Sequence, residues 1–292
     1  MELMSGKCII SGVDLGAGTE AILSYSASFS RVSGAELRLI YVLDYLLTPP
    51  AYLAPYIDEE RKREESALSV WQAALEQQGL QTSKSVMIGR LHESFMTAIR
   101  EFSPEMIVIG HRSHALRSSS SENLIRSLAI PMLVVRGKRS ISSSIGSVDI
   151  KKILCAVDLP ENSRKAFSAA CRYSGLFGAE LHLLHVMPSH VLNKAFSGRI
   201  HPDRCQIDRF EKDLKVLADS AISDMLKAAD TAVGYGIVKG DPANEICSYA
   251  ENNEYDLIVM GARGLSFIES VIIGSTTEGV LKSSPCPVLV VH

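Results

Sequence analysis

Lys7-Cys8-Ile9-Ile10-Ser11-Gly12-Val13-Asp14 and Lys151-Lys152-Ile153-Leu154-Cys155-Ala156-Val157-Asp158 are one phrase written twice, 144 residues apart. Each has a basic start, a short apolar run and an aspartate directly after a valine. The same interval carries Gly34-Ala35-Glu36-Leu37 to Gly178-Ala179-Glu180-Leu181, and Val42 to Val186. Further on, Met106-Ile107-Val108-Ile109-Gly110 matches Leu257-Ile258-Val259-Met260-Gly261 at an interval of 151. Pro131-Met132-Leu133-Val134-Val135 matches Pro287-Val288-Leu289-Val290-Val291 at 156. One unit thus occurs twice, and the second copy gains 7 residues and then 5. The Ser- and Gly-rich residues 137–147 stand between the copies. The reading places one domain at 1–137, a linker at 138–150 and a second domain at 151–292.

Inside each unit, short β-branched runs (9–13, 37–42, 106–109 and 132–135 in the first) alternate with longer amphipathic stretches such as 59–78 and 208–229. Apolar runs without polar alternation suit strands covered on both faces. Strand alternating with helix implies a parallel sheet. The expected fold class is therefore α/β: two repeated parallel-sheet sandwiches of five strands, with helices on both faces. In such sheets ligands bind beyond the carboxyl ends of the strands, where strand order reverses. Asp158 and Gly261 follow the first and fourth strands of the second unit, so they are candidates by position.

Composition narrows the function. The chain has 292 residues, 33 acidic and 30 basic side chains and a net charge of −3, which argues against a broad nucleic-acid surface. No run approaches the roughly 18 apolar residues of a membrane span. The first 18 residues carry Glu2, Lys7 and Asp14, so no signal peptide is expected. Cys8, Cys155, Cys171, Cys205, Cys247 and Cys286 form no C-x-x-C pair. Free thiols in a reducing cytoplasm are the plain reading.

The most informative segment for chemistry is Gly261-Ala262-Arg263-Gly264-Leu265-Ser266-Phe267, which continues to Gly274-Ser275-Thr276. Glycines let backbone N–H groups approach a phosphate. Ser275-Thr276-Thr277-Glu278 has the spacing of a capping box, and a helix N-terminus attracts an anion. Read locally, the segment is either a phosphate cradle or a glycine turn before a capped helix.

The spacing G-x2-G-x9-G-[S/T], with Val157-Asp158, Val186 and the closing Pro285-Cys286-Pro287-Val288-Leu289-Val290-Val291, resembles the universal stress protein family, twice over. The resemblance implies a Rossmann-like, adenine nucleotide alpha hydrolase-like domain that binds ATP or another adenine nucleotide, with or without magnesium. Two copies resemble the tandem form. Carried over, Ala156 and Asp158 resemble the adenine-side contacts, and Val186 the residue whose main chain meets the adenine edge. Gly261, Arg263, Gly264, Leu265 and on to Phe267 resemble the ribose and phosphate loop. Gly274, Ser275, Thr276 and Thr277 resemble the terminal phosphate binders.

The first unit departs from this pattern. Its fourth strand leads into Gly110-His111-Arg112-Ser113, with serine in place of the second glycine. Four residues separate Ser113 from Ser118, where the second unit has nine between Gly264 and Gly274. ATP is therefore expected in the second unit only. His111, Arg112, His114 and Arg117 form either another anion site or a solvated basic loop. Gly16-Ala17-Gly18-Thr19-Glu20-Ala21 with Asp44 imitates a dinucleotide fingerprint, but its repeat mate has no glycine, so a tight turn is expected. His182 and His185 fall on opposite faces of a strand and are expected to pack rather than chelate. His190, His201 and Cys205 match no standard zinc spacing.

No Walker loop, no hydrolase elbow and no acid/base pair accompanies the glycine segment. The expectation is a cytoplasmic stress-response regulatory protein without dedicated catalysis. The alternatives are a slow, metal-assisted ATP hydrolase or nucleotidyl transferase on the same scaffold, or an interaction scaffold for another small molecule. No nucleic acid or membrane partner is expected, and no protein partner can be named. The apolar final runs 131–135 and 287–291 invite pairing, and the 11 residues of 137–147 could span roughly 36 Å. An intramolecular pseudo-dimer is expected, with homodimerisation left open.

Overall fold

The computed structural model describes residues 7–44, 53–110, 120–136, 145–158, 160–188, 204–227, 233–262 and 273–292. The chain divides into two compact units, Met1–Asp149 and Ile150–His292. The first runs β1 (Cys8–Gly12), α1 (Thr19–Ser33), β2 (Glu36–Leu43), α2 (Ala54–Glu76), β3 (Thr82–Ile88), α3 (Leu91–Phe102), β4 (Met106–Gly110), α4 (Ser120–Ser127) and β5 (Met132–Val135). The second runs β6 (Lys152–Val157), α5 (Pro160–Phe177), β7 (Glu180–Pro188), α6 (Arg204–Leu226), β8 (Val233–Gly240), α7 (Pro242–Asn252), β9 (Leu257–Gly261), α8 (Ser275–Ser283) and β10 (Val288–Val291).

Within the first unit the strands lie in the order β3-β2-β1-β4-β5, every pair parallel. The second repeats it as β8-β7-β6-β9-β10. Register is repeated too: Ile9 faces Leu37 and Ile153 faces Leu181. Right-handed crossovers then place α1 and α2 on one face of the first sheet and α3 and α4 on the other. Central strands are apolar because both faces are covered: Ile9, Ile10, Ile107, Val108, Ile153, Leu154, Ile258 and Val259 are fully buried.

The turn from first helix to second strand is built identically in both copies. Gly34 and Gly178 take left-handed conformations, at φ 69° and 66°, which glycine adopts without a steric penalty. Ser30 and Ser174 each donate a hydroxyl hydrogen bond of 2.6 Å to the carbonyl of Ala35 and Ala179 respectively. The long helices α2 and α6 begin and end a few residues earlier than the amphipathic pattern implies. In α2 a proline occupies the first turn, where its missing N–H is not needed.

The expected linker is in part a strap on the first unit. Ser24 and Ser28 of α1 accept from the Gly146 and Val148 amides at 3.1 and 2.9 Å. Gln78 donates to the Ile145 carbonyl at 2.9 Å. Those serines are buried polar groups, and the strap supplies their partners. No helix among the described residues is long and apolar enough to cross a membrane.

Candidate functional site

In the second unit the chain steps from β6 to β7 and β8 on one side, then returns to β9 and β10 on the other. Strand order reverses between β6 and β9, the place where sheets of this kind form a ligand crevice beyond their carboxyl ends. Ala156, Asp158, Val186 and Gly261 all stand at that end of the sheet.

Ala156 is buried in β6 opposite Met260 of β9. One residue earlier, burial pushes the Cys155 thiol up, so it is no nucleophile. Both polar groups of the peptide joining Val157 to Asp158 are held by side chains. His185 of β7 donates from Nδ1 to the Val157 carbonyl at 3.0 Å. The Asp158 amide donates to Ser163 Oγ of α5 at 2.9 Å. Ser163 and His185 are both buried. The Asp158 side chain is exposed. Its carboxylate makes no hydrogen bond or ion pair to another described residue. Pairing of β6 with β7 ends at Val157 and His185, while β7 continues alongside β8 to Pro188. No described residue of β6 lies opposite Val186, so its main chain borders the crevice on that side.

On the other wall, the ends of the glycine segment are tied together. Ala262 donates its amide to the Val291 carbonyl at 2.8 Å, and Gly274 returns to donate to the Ala262 carbonyl at 2.8 Å. The capping-box expectation is corrected here. Gly274, not Ser275, is the N-cap of α8, extended at φ −66° and ψ 146°, and no side chain caps the helix. The Glu278 carboxylate does not reach back; it pairs with Lys282 one turn on, at 2.6 Å. Ser275, Thr276 and Thr277 therefore form the first turn itself, whose amides lack intrahelical acceptors. Ser275 is exposed and Thr276 half-buried. Thr277 is buried, and its hydroxyl donates to the Gly261 carbonyl at 2.9 Å, so its proton serves the frame of the site. Gly279 permits a close approach of α7: a Cβ there would lie 2.6 Å from that of Ala243. Arg263, Gly264, Leu265 and Phe267 lie outside the described residues, as do His111, Arg112, His114, Arg117, His190 and His201 and the side chain of Cys205.

The profile of the Universal stress protein family matches the chain twice, over residues 7–136 and 149–292. The chain belongs to the universal stress protein family. It is 32% identical over 147 residues to the universal stress protein YxiE of Bacillus subtilis, spanning 48% of this chain and 98% of that one. To the universal stress protein MJ0577 of Methanocaldococcus jannaschii it is 34% identical over 156 residues, spanning 50% and 96%. The solved universal stress protein of Archaeoglobus fulgidus DSM 4304 shares the fold with a TM-score of 0.73, at 23% identity over 98% of both chains.

The first universal stress protein unit places its counterparts differently. Asp14 Oδ1 accepts from the Gly16 amide at 2.9 Å and from Thr19 Oγ1 in a long 3.5 Å contact. The dinucleotide-like glycines thus belong to a tight turn, closed by Thr19 N on the Gly16 carbonyl. Asp44 accepts from the Leu91 amide at the start of α3 at 3.3 Å. At the end of β4, Gly110 admits Ile22 of α1: a Cβ there would lie 2.9 Å from Ile22 Cδ1.

His182 and His185 do point to opposite faces. His182 Nε2 and the Tyr249 hydroxyl are 3.0 Å apart, and Tyr255 completes a ring cluster. Burial lowers the His182 pKa and, with Tyr249 and Glu180 adding, pushes Tyr255 up to about 12. Among the described residues no cluster of His, Cys, Asp and Glu could hold a metal. The sequence reading missed Ser163 and the part played by His185. Their signal was present: a serine five residues after Asp158 and a histidine directly before Val186.

Proposed function

We propose that the second unit binds ATP or another adenine nucleotide at the end of β6 and β9, and that the chain is a stress-response regulatory protein rather than a dedicated catalyst. The observation that carries this reading is the bare N-terminus of α8. Gly274 leaves its first-turn amides without a side-chain cap, beside a strand end that reads Gly261. Free N–H groups and the positive end of the helix dipole suit a phosphate. Ser275 and Thr276 add hydroxyl donors, and the sequence supplies Arg263, Gly264 and Leu265 between. Across the crevice the Asp158 carboxylate suits an exocyclic amine or a ribose hydroxyl, both donors. Val186 offers main-chain groups to the edge of a planar base. Magnesium would be carried by the phosphates rather than by a protein cluster.

The test is mass spectrometry of nucleotide released from the purified chain, with calorimetric titration of ATP with and without magnesium. The reading expects one adenine nucleotide per chain. Absence of binding at millimolar ATP would refute it, and two equal sites would refute the restriction to the second unit.

A further inference from the structure

We infer that His185 and Ser163 are a pair of positioning residues that present the Asp158 carboxylate to the ligand; the inference rests on the nucleotide reading above. The Val157 carbonyl and the Asp158 amide are the two ends of one peptide plane, pointing in opposite directions because the bond is trans. His185 holds one end at 3.0 Å and Ser163 the other at 2.9 Å. With both ends fixed, rotation of that plane is blocked, and the direction in which Cβ of Asp158 leaves the chain is set. The anchors are rigid: His185 sits on a strand paired on both sides up to that point, and Ser163 on a helix packed against β6 and β9.

A carbonyl only accepts, so the bond requires a proton on Nδ1 of His185. Where the first unit has Tyr41 and Thr19 at the corresponding places, its aspartate, equally exposed, accepts from the Gly16 amide and the Thr19 hydroxyl. A carboxylate with no described partner therefore accompanies the His/Ser pair in the second unit, and one bonded within its own turn accompanies the replacement in the first.

The experiment measures ATP affinity by calorimetry in the full chain. His185→Leu and Ser163→Ala are each expected to weaken binding about 2- to 10-fold, the range of one hydrogen bond. In an Asp158→Ala background the same changes are expected to have no further effect, because the pair acts through that carboxylate. His185→Asn, which keeps an N–H near the Nδ1 position, is expected to restore most of the affinity and covers the case in which His185→Leu does not fold. In the nucleotide-free chain, imidazole ¹⁵N shifts are expected to show Nδ1 protonated. Equal losses with and without Asp158, unchanged affinity in both single variants, or an Nε2–H tautomer would each overturn the inference. A parent chain that binds no ATP would instead refute the nucleotide reading.

Discussion

Asp14 and Asp158 follow the first strands of two copies of one unit, yet they serve different purposes. Asp14 spends its carboxylate on its own turn, accepting from Gly16 and Thr19. Asp158, exposed like Asp14, leaves the turn to Ser163 and His185, and its carboxylate bonds no other described residue. The neighbouring strand ends diverge in the same sense. Gly110 is packed against Ile22, whereas the residue 144 places after Ile22 is the smaller Ala166. A duplicated scaffold can thus keep its sheet and register while the carboxylate after the first strand takes turn partners in one copy and no described partner in the other. A shared residue type at a shared position does not by itself establish a shared role.

The largest expected effect that would break this contrast is at Gly264. Gly264→Val should abolish ATP binding while leaving the thermal melt unchanged, because a side chain in the phosphate loop occupies ligand space. Binding at the parent level in calorimetry would show that the loop is not used.

Next come the two aspartates, which should cross over. Asp158→Ala is expected to weaken ATP binding by about 1–3 kcal/mol, the range for a hydrogen bond to a charged group, with little change in stability. Asp14→Ala should leave ATP affinity unchanged and lower stability by about 0.5–1 kcal/mol through loss of the turn acceptor. Chemical denaturation alongside titration reads both quantities, and equal behaviour of the two variants would erase the difference between the units.

A comparable stability effect is expected where the strap docks on α1. Ser28→Ala removes the acceptor for the Val148 amide and should destabilise the chain by about 1 kcal/mol. Arg172 occupies the matching place in the second unit, so Arg172→Ala should lack this effect.

The smallest effect concerns pH. Burial lowers the His182 pKa below its ordinary 6.5. As pH falls through that value the unfolded chain takes up the proton first, so stability is lost on the acid side. His182→Gln should flatten the fall in melting temperature between about pH 7 and 5, whereas substitution at Tyr41 in the first unit should not.

The sequence by itself determined the duplication, the alternation of strand and helix, the positions of Asp158 and Gly261 at strand ends, and the shortened loop of the first unit. These are legible because hydrophobic periodicity and local turn chemistry act over a few residues. β7, by contrast, runs two residues beyond Val186, to Pro188. Strand order and register came from pairing between segments far apart in the chain, such as Ile153 with Leu257. The N-cap of α8 moved from Ser275 to Gly274 because the Ala262 carbonyl, fixed by β9 and β10, takes the Gly274 amide. Tertiary structure alone decided that Thr277 binds the Gly261 carbonyl and that residues 145–148 lie on α1. It also decided that His185 meets the Val157 carbonyl, 28 residues away. The physical reason is common to these cases: a polar side chain bonds whichever buried partner the fold brings within about 3 Å, and sequence spacing does not name that partner.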